Sequence, residues 1–303
     1  MKNIKVLPVA IVLFIAGFLT ISCEQNNINE SFGKITLKLS DAPLDYAQFK
    51  EANITIDRIE IRKRDGKYIS LMDSPKKSNL LELVNGVTET LIDYNLPEGD
   101  YDMIRLHMSS SEMIMNNGNS YFNEMDGEGF SGNGMMQNGM MFNNNDGSID
   151  IPFETMLTIM EGIHEEYLLD VDVNQSFMLE GIEYTNTGSG MMMNISGFSF
   201  YPMMRFVHMS TSGTIKGTVQ SEDGFLANAT ITLMHSDKEY TSTHTDDNGN
   251  YTLIGIPEGA DYSMIVELDG YMMDSSQNGT VMGGFDMMAG SKINMNFYMN
   301  STN

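Results

Sequence analysis

The sequence predicts an all-β protein made of two β-sandwich domains, and three observations support this fold class. Short segments that alternate apolar and polar residues recur along the chain, as expected for strands with one buried face. Turn-forming residues separate these segments. The alternation of strands with helices that is typical of a parallel sheet is absent from the sequence. Few segments keep helical spacing over three turns, and residues 80–92 are the one place where we expect a short helix.

The first domain is predicted over residues 33–210. Its first strand alternates apolar Ile35, Leu37 and Leu39 with polar Thr36, Lys38 and Ser40. A second strand region carries Ile54, Ile56, Ile59 and Ile61, whose spacing implies an irregularity at residues 57–58. Further strands are predicted over residues 68–72, 101–108, 149–159, 167–173 and 198–209. Strands of this kind, joined by tight turns, favour a sandwich over an open sheet.

Residues 116–150 interrupt this pattern. They are dense in Asn, Gly and Met and contain almost no β-branched residues. Such a segment offers no apolar face for a core, so we predict a long mobile insertion within the first domain.

The second domain is predicted over residues 211–303. Its strands include residues 215–219, the inward set Ala229, Ile231 and Leu233, and the set Tyr262, Met264, Val266 and Leu268. The last strand carries Ile293, Met295, Phe297 and Met299 on one face. Residues 96–104 and 256–265 resemble each other, because in both a Pro-Glu-Gly turn is followed by a tyrosine that begins a strand.

These segments also resemble two known families. Gly217-Thr218-Val219, Gly249-Asn250-Tyr251 and residues 255–259 look like the carboxypeptidase regulatory-like domain, a prealbumin-like β-sandwich grouped with carbohydrate-binding-like folds. Residues 33–43, 54–61, 80–86 and 96–106 resemble the family called domain of unknown function 4382, which is typical of secreted and lipid-anchored prokaryotic proteins. The first resemblance implies an accessory role, and the second implies no activity.

The N-terminus predicts export. Two lysines precede an apolar run in residues 6–21, the layout of a secretory signal peptide in residues 1–22. Ser22 lies directly before Cys23, the single cysteine, which we interpret as a lipidation site followed by a tether in residues 23–32. An ordinary signal peptide with a chance cysteine is the alternative. The expected location is therefore a membrane anchor in the cell envelope, at the outer membrane or the cell surface.

Charge restricts the partners. The net charge is −24, with 17 basic against 41 acidic residues. Nucleic acids and anionic membrane surfaces attract basic patches, so we expect neither as a partner apart from the lipid anchor itself.

No catalytic motif stands out. The sequence has no Gly-x-Ser-x-Gly elbow, no His-Glu-x-x-His and no phosphate-binding glycine loop. We therefore predict a non-enzymatic binding or adhesion module for an envelope glycan, a polysaccharide or an envelope protein. Trp is absent, and the aromatic candidates for a glycan platform are Tyr46, Tyr121, Phe122, Tyr184, Tyr271 and Tyr298, among which the sequence does not choose. A purely structural role through self-association at strand edges is a further alternative.

Methionine suggests a second function. The chain has 29 Met, and several lie among Asn and Gly where no core is expected, including Met125. Thioethers are soft ligands that select Cu(I), so an envelope copper-binding protein is the alternative function. Its candidate ligands are Met113, Met115, Met135, Met136, Met140 and Met141. The competing interpretation is that methionine fills irregular cores.

Calcium is the other cation considered. Asp246, Asp247, Asn248 and Asn250 cluster oxygen atoms, which calcium prefers, but no glutamate closes a loop of the EF-hand type. The same residues are explained as a tight turn, so structural calcium stays an open alternative and no cofactor is assigned.

Overall fold

A computed structural model describes residues 31–42, 48–72, 74–125, 134–135, 139–143, 146–186, 191–274, 276 and 284–302. Ser31–Asn303 is one compact unit. Within the described ranges, no helix is both long and apolar enough to cross a membrane. The predicted signal peptide, Cys23 and most of the tether lie outside the described residues.

The first domain consists almost entirely of strands. In chain order they are β1 Phe32–Ala42, β2 Phe49–Lys63, β3 Tyr68–Met72, β4 Lys76–Asn79, β5 Glu89–Pro97, β6 Gly99–Met115, β7 Ser120–Glu124, β8 Gly134–Met135, β9 Met141–Asn143, β10 Ser148–Ile159, β11 His164–Asp172, β12 Phe177–Glu180, β13 Glu183–Asn186, β14 Met191–Asn194, β15 Gly197–Phe200 and β16 Met204–His208. A 3-10 turn spans Leu80–Glu82, and a one-turn helix, α1, spans Val173–Ser176.

The second domain follows a 3-10 turn at Met209–Thr211. Its strands are β17 Ser212–Ser221, β18 Gly224–Phe225, β19 Thr230–His235, β20 Lys238–His244, β21 Asn250–Pro257, β22 Gly259–Glu267, β23 Tyr271–Met273, β24 Phe285–Met287, β25 Lys292–Asn294 and β26 Phe297–Ser301.

Two sheets enclose the core of the first domain. One has four strands in the order β16-β11-β1-β5, with β1 and β11 parallel. The other has the order β3-β2-β6-β10-β9-β8, with β4 paired to β2 and β7 paired to β6. Ile35, Leu37 and Leu39 of the first sheet are fully buried and belong to the same apolar cluster as Ile54 and Ile104 of the second. This is the predicted sandwich.

The second domain has a separate apolar core. One of its sheets joins β18, β17, β26 and β23, with β21 and β25 also paired to β17, and the other has the order β20-β19-β22-β24. Ala229, Ile231 and Leu233 have no exposed surface, and Tyr262 and Met264 are almost completely buried beside them. The fold is therefore all-β with two β-sandwich domains, as the sequence predicts.

Several details of the pattern are confirmed. Ile56, Ile59 and Ile61 are fully buried, and the pairing of β2 with β6 shifts register between Ile56 and Arg58, where the sequence predicts an irregularity. The shift keeps the isoleucines on both sides of it on the core face despite their uneven spacing.

The predicted mobile insertion is wrong in part. Within residues 116–150 the structure has β7, β9 and the start of β10, all part of the larger sheet. Met125 and Met140 lie in the core at 4% and 1% exposure. Methionine supplies enough apolar surface here without β-branched neighbours, which the prediction from residue type did not allow.

Two further predictions need correction. Residues 80–92 form one 3-10 turn, and from Glu89 onward they belong to strand β5 rather than to a helix. The predicted last strand is split into β25 and β26 by Met295 and Asn296. Asn296 Oδ1 accepts hydrogen bonds from the backbone nitrogen and hydroxyl of Thr218, so a side chain replaces a strand bond at the break.

The two Pro-Glu-Gly turns each contain the same kind of hydrogen bond, from a tyrosine hydroxyl to the carbonyl oxygen of the turn's proline. Tyr101 donates its hydroxyl to the carbonyl oxygen of Pro97 at 2.7 Å, and Tyr262 donates to that of Pro257 at 3.0 Å. Both rings are buried, and burial raises the pKa of each tyrosine to about 12. The sequence similarity thus marks the same closure of a turn in both domains.

The second domain packs on the outer face of the four-stranded sheet. Asn85, in a left-handed conformation, accepts a hydrogen bond from Thr252 N at 2.6 Å and donates its amide to the carbonyl of Asn250 at 3.3 Å. A Cβ atom on Gly255 would lie 2.7 Å from Cδ2 of Leu168. The backbone of the second domain therefore touches the first sheet directly.

Candidate functional site

A cleft of about 560 Å³ lies where the two domains meet, along β16, which pairs only with β11 among the described strands. Both domains line it, the first mainly through β10, β11 and β16 and the second through β20 and the turn after β21. Its size is within the range of small-ligand sites, which often lie at domain interfaces.

Aromatic rings form one wall of the cleft. Tyr167 stacks on Phe206 with 4.8 Å between ring centroids, and its other neighbour in the stack, His208, lies at 4.7 Å. Phe153 packs against Tyr167 at 5.2 Å and against Phe206 at 5.6 Å. Phe153 lies in the stretch where the pairing of β10 with β6 shifts register, between Pro152 and Leu157. Phe206 and His208 keep part of their surface exposed.

A buried ion pair lies beside this wall. Arg205 Nη2 donates to Asp170 Oδ2, and the side chains keep only 16% and 7% of their surface exposed. The guanidinium also lies over the ring of Tyr240 of the second domain, at 4.2 Å. Burial opposes the charge of Arg205, but Asp170 and Tyr240 together outweigh it, and the pKa of the guanidinium is raised. Burial likewise raises the pKa of Tyr240.

More carboxyl groups lie behind the pair. Ser40 donates its hydroxyl to Asp170 Oδ1, while Asp41 on the next position accepts a bond from Val173 N at 3.2 Å. Burial and the nearby Asp170 raise the pKa of Asp41 well above its usual value. Burial also raises the pKa of Asp172. These groups fix the sheet beneath the cleft rather than the cleft surface.

The rim of the cleft is polar. Exposed side chains of Glu154 and Thr155 come from the first domain, and those of Thr211 and Glu258 lie at or beyond the domain junction. His208 Nε2 lies 2.6 Å from Oε2 of Glu165, so its ring is held in place. An apolar aromatic wall with a few oxygen acceptors and hydroxyls is suited to non-covalent binding of a polyhydroxylated molecule.

A second, more open cleft lies in the first domain. It is lined by Phe122, which is 61% exposed, and by His107, Ser109 and Asp57. Its polar groups already bond to protein: His107 Nε2 is 2.8 Å from Oε2 of Glu60, and Ser109 donates to Asp57 at 2.7 Å. For this reason we take the interdomain cleft as the candidate site.

The sequence missed the residues of the interdomain cleft. Of the six aromatic candidates, Tyr46 lies outside the described residues, and Tyr121, Phe122, Tyr184, Tyr271 and Tyr298 do not line the cleft. Phe153, Tyr167 and Phe206 have the pattern of ordinary strand residues and meet through the fold of the first domain, and the docking of the second domain adds Tyr240. The irregular stretch 152–157 in β10 is the one local signal that could have been noticed.

The candidate copper ligands are placed in different environments. Met113, Met115 and Met140 are buried in the core at 0–2% exposure, and Met141 is 49% exposed. Met135 belongs to β8, and Met136 lies outside the described residues. The expectation that no core could form around these methionines is thus wrong for Met113, Met115 and Met140, whose thioethers pack against other apolar side chains.

The candidate calcium residues form a turn. Asp246 Oδ1 accepts hydrogen bonds from the backbone nitrogens of Asn248 at 2.9 Å and Asn250 at 2.8 Å. The amide of Asn250 and these backbone bonds hold the pKa of Asp246 below its usual value. Within the described ranges, no group of three or more His, Cys, Asp or Glu side chains is arranged to hold a metal ion.

Comparisons with solved structures return several bacterial proteins, among them pilins. The TIE protein of Bacillus anthracis is 14% identical with a TM-score of 0.25, and the match covers 88% of this chain but 34% of that one, about a third of its length. GBS52, the minor pilin of Streptococcus agalactiae, is 9% identical with a TM-score of 0.24, over 88% and 96% of the two chains. The shaft pilin spaA of Lactobacillus rhamnosus GG is 10% identical with a TM-score of 0.24, over 90% and 100%. Such scores carry no argument about function.

Sequence comparison is more decisive. No curated protein matches the chain in sequence. The profile of the carboxypeptidase regulatory-like domain matches residues 214–297, the second sandwich. The profile of the domain of unknown function (DUF4382) matches residues 32–189, more than half of the chain. The chain therefore belongs to the DUF4382 family and carries a carboxypeptidase regulatory-like domain after it.

Proposed function

We propose that this protein is a non-enzymatic binding module of the cell envelope that holds a glycan in the interdomain cleft. The observation that carries the proposal is the partly exposed ring of Phe206, supported from behind by the buried rings of Phe153 and Tyr167, beside exposed oxygen acceptors. Sugar rings present apolar C–H faces that pack on aromatic rings, and their hydroxyls donate to carboxylates such as Glu154. The side chains that line the cleft suit non-covalent recognition of such a molecule.

The cleft is also suited to selectivity. Because both domains contribute to it, its shape depends on the docking that Asn85 and Gly255 define. A preformed site of this kind costs little ordering on binding.

The test is a glycan array probed with the compact unit 31–303, followed by titration of the best oligosaccharide. Phe206→Ala removes the half-buried ring and should weaken binding roughly tenfold, since stacking of this kind contributes about 1.5 kcal/mol. Phe122→Ala, an exposed ring outside the cleft, is the matched control and should bind like the parent. Absence of glycan binding, or capture of an extended peptide instead, would contradict the proposal.

The proposal includes export and lipid attachment at Cys23, which we infer from residues 1–23 alone. Mass spectrometry of the protein from membranes should find a lipid-modified Cys23 at the N-terminus. A Cys23→Ser variant should leave the membrane fraction, and an unchanged distribution would argue against the anchor.

A further inference from the structure

The rim of the interdomain cleft carries charge of one sign. Glu154 comes from the irregular part of β10 in the first domain, and Glu258 lies in the Pro-Glu-Gly turn of the second. Both side chains are exposed, and no described lysine, arginine or histidine forms an ion pair with either. Two carboxylates from two domains thus face one site without a protein counter-ion.

The cations of the cleft are already used. Arg205 pairs with Asp170, and His208 lies against Glu165. Neither therefore offsets the charge of Glu154 and Glu258, so the cleft as a whole is negative. An anionic sugar such as a uronic acid would meet repulsion here, because like charges at short range are unfavourable.

The aromatic wall, like the negative rim, favours a positively charged ligand. Ring faces attract cations, and Tyr240 already holds the guanidinium of Arg205 at 4.2 Å. Phe206 offers a further partly exposed ring on the same cleft. The net charge of −24 adds a long-range field that increases the encounter rate of a polycation.

We infer that the ligand of the interdomain cleft is an amino glycan with free ammonium groups, and that Glu154 and Glu258 select it. This inference rests on the proposed function, since it names the class of glycan for the same site. The sugar ring packs on the aromatic wall while an ammonium group on the ring, or on its neighbour, lies between the two carboxylates.

The experiment uses calorimetric titration of the compact unit 31–303 with three oligosaccharides of equal length. They are a glucosamine oligomer, the same oligomer fully N-acetylated, and an oligomer of a uronic acid. The free amine should bind about tenfold more tightly than the N-acetylated form, as two exposed carboxylate–ammonium contacts allow, and the uronic acid most weakly. High salt should reduce the preference, because these charges are exposed.

Paired variants identify the residues responsible. Glu154→Gln/Glu258→Gln should remove the preference for the amine while the N-acetylated oligomer binds as before. Glu161→Gln/Glu183→Gln makes the same change in net charge at exposed positions outside the cleft and should keep the preference. All four residues are exposed, so folding is not at risk.

The outcomes separate the two proposals. Equal binding of the amine and N-acetylated oligomers would overturn the amino-glycan inference and leave glycan binding in place. A preference that survives Glu154→Gln/Glu258→Gln would overturn the role of these two residues. Failure of all three oligomers, together with a negative glycan array, would overturn the proposed function itself.

Discussion

The two faces of the four-stranded sheet in the first domain solve burial in different ways. The inner face presents Ile35, Leu37 and Leu39 to the apolar core, with no exposed surface. The outer face carries apolar Leu168 and polar Ser40 and Asp170, and these polar residues are only 3% and 5% exposed. Apolar contact suffices on the inner face. On the outer face each polar group needs a bonding partner, because an unpaired buried charge is costly.

The largest expected loss of stability comes from breaking the buried ion pair on the outer face. Asp170→Ala leaves Arg205 buried without its carboxylate and should lower the free energy of unfolding by about 3–5 kcal/mol. Denaturant unfolding measures this directly. Glu166→Ala, on the same strand and face, removes a half-exposed pair with Lys38 at 3.0 Å and should cost less than about 1 kcal/mol.

A double variant sharpens this result. Asp170→Leu/Arg205→Met removes both charges and should recover most of the loss, since apolar replacements of buried pairs are often neutral or stabilising. If the double variant were as unstable as Asp170→Ala, the missing charge partner would not be the cause.

The next largest loss of stability comes from weakening the contact between the first domain and the second domain, which packs on the outer face. Asn85→Ala removes two side-chain hydrogen bonds to the second domain and places alanine at a left-handed position, so we expect a loss of about 2 kcal/mol. Asn228→Ala is the matched control, because Asn228 is also left-handed but makes no such bond across the domains. Thermal unfolding of both should show a larger loss for Asn85→Ala. Equal losses would mean that backbone strain alone accounts for it.

The smallest effect depends on pH. The folded-state pKa of Asp41, on the inner face, is raised by burial and by Asp170. Its contribution to stability is therefore present below the unfolded pKa of about 3.9 and is lost as pH rises through the folded value. Asn cannot ionise and keeps the acceptor for Val173 N, so the stability of Asp41→Asn relative to the parent should increase from pH 4 to pH 7.

Asp93 on the outer face provides the opposite case. Bonds from Lys34 and Thr36 lower its pKa, so its contribution is present above the unfolded pKa and lost as pH falls. Asp93→Asn should therefore lose stability relative to the parent as pH rises from below the unfolded pKa of about 3.9 to just above it. Urea unfolding at several pH values tests both, and parallel trends would contradict the contrast between the faces.

The same contrast explains which parts of the fold could be predicted. Alternation in residues 35–40 correctly assigned each side chain to a face, since that depends only on the two-residue period of a strand. It did not show that Thr36 and Ser40 are buried, at 6% and 3% exposure. The two-residue period predicts which face of the sheet a side chain lies on, whereas its burial depends on what packs against that face.

The residues of the candidate site were harder to predict from the sequence than the strands were. Tyr167, Arg205 and Tyr240 are separated by long stretches of chain, and no motif links them. The pairing of β11 with β16 brings Tyr167 near Arg205, and the docking of the second domain adds Tyr240. No local pattern encodes either contact. The prediction that no core forms around certain methionines was wrong for a related reason. Met113 and Met140 have Asn and Gly nearby in sequence, but apolar side chains surround them in space.

Gly255 adds a consequence for how the two domains are related. Its backbone is left-handed, and a single added carbon would meet Leu168 of the neighbouring domain at 2.7 Å. The surfaces therefore match to within the width of one methyl group. A regulatory-like domain taken from another protein would need glycine, or an equally close backbone, at this point in order to dock. The docking of the two modules therefore depends on this close fit, and the shape of the cleft between them depends on it as well.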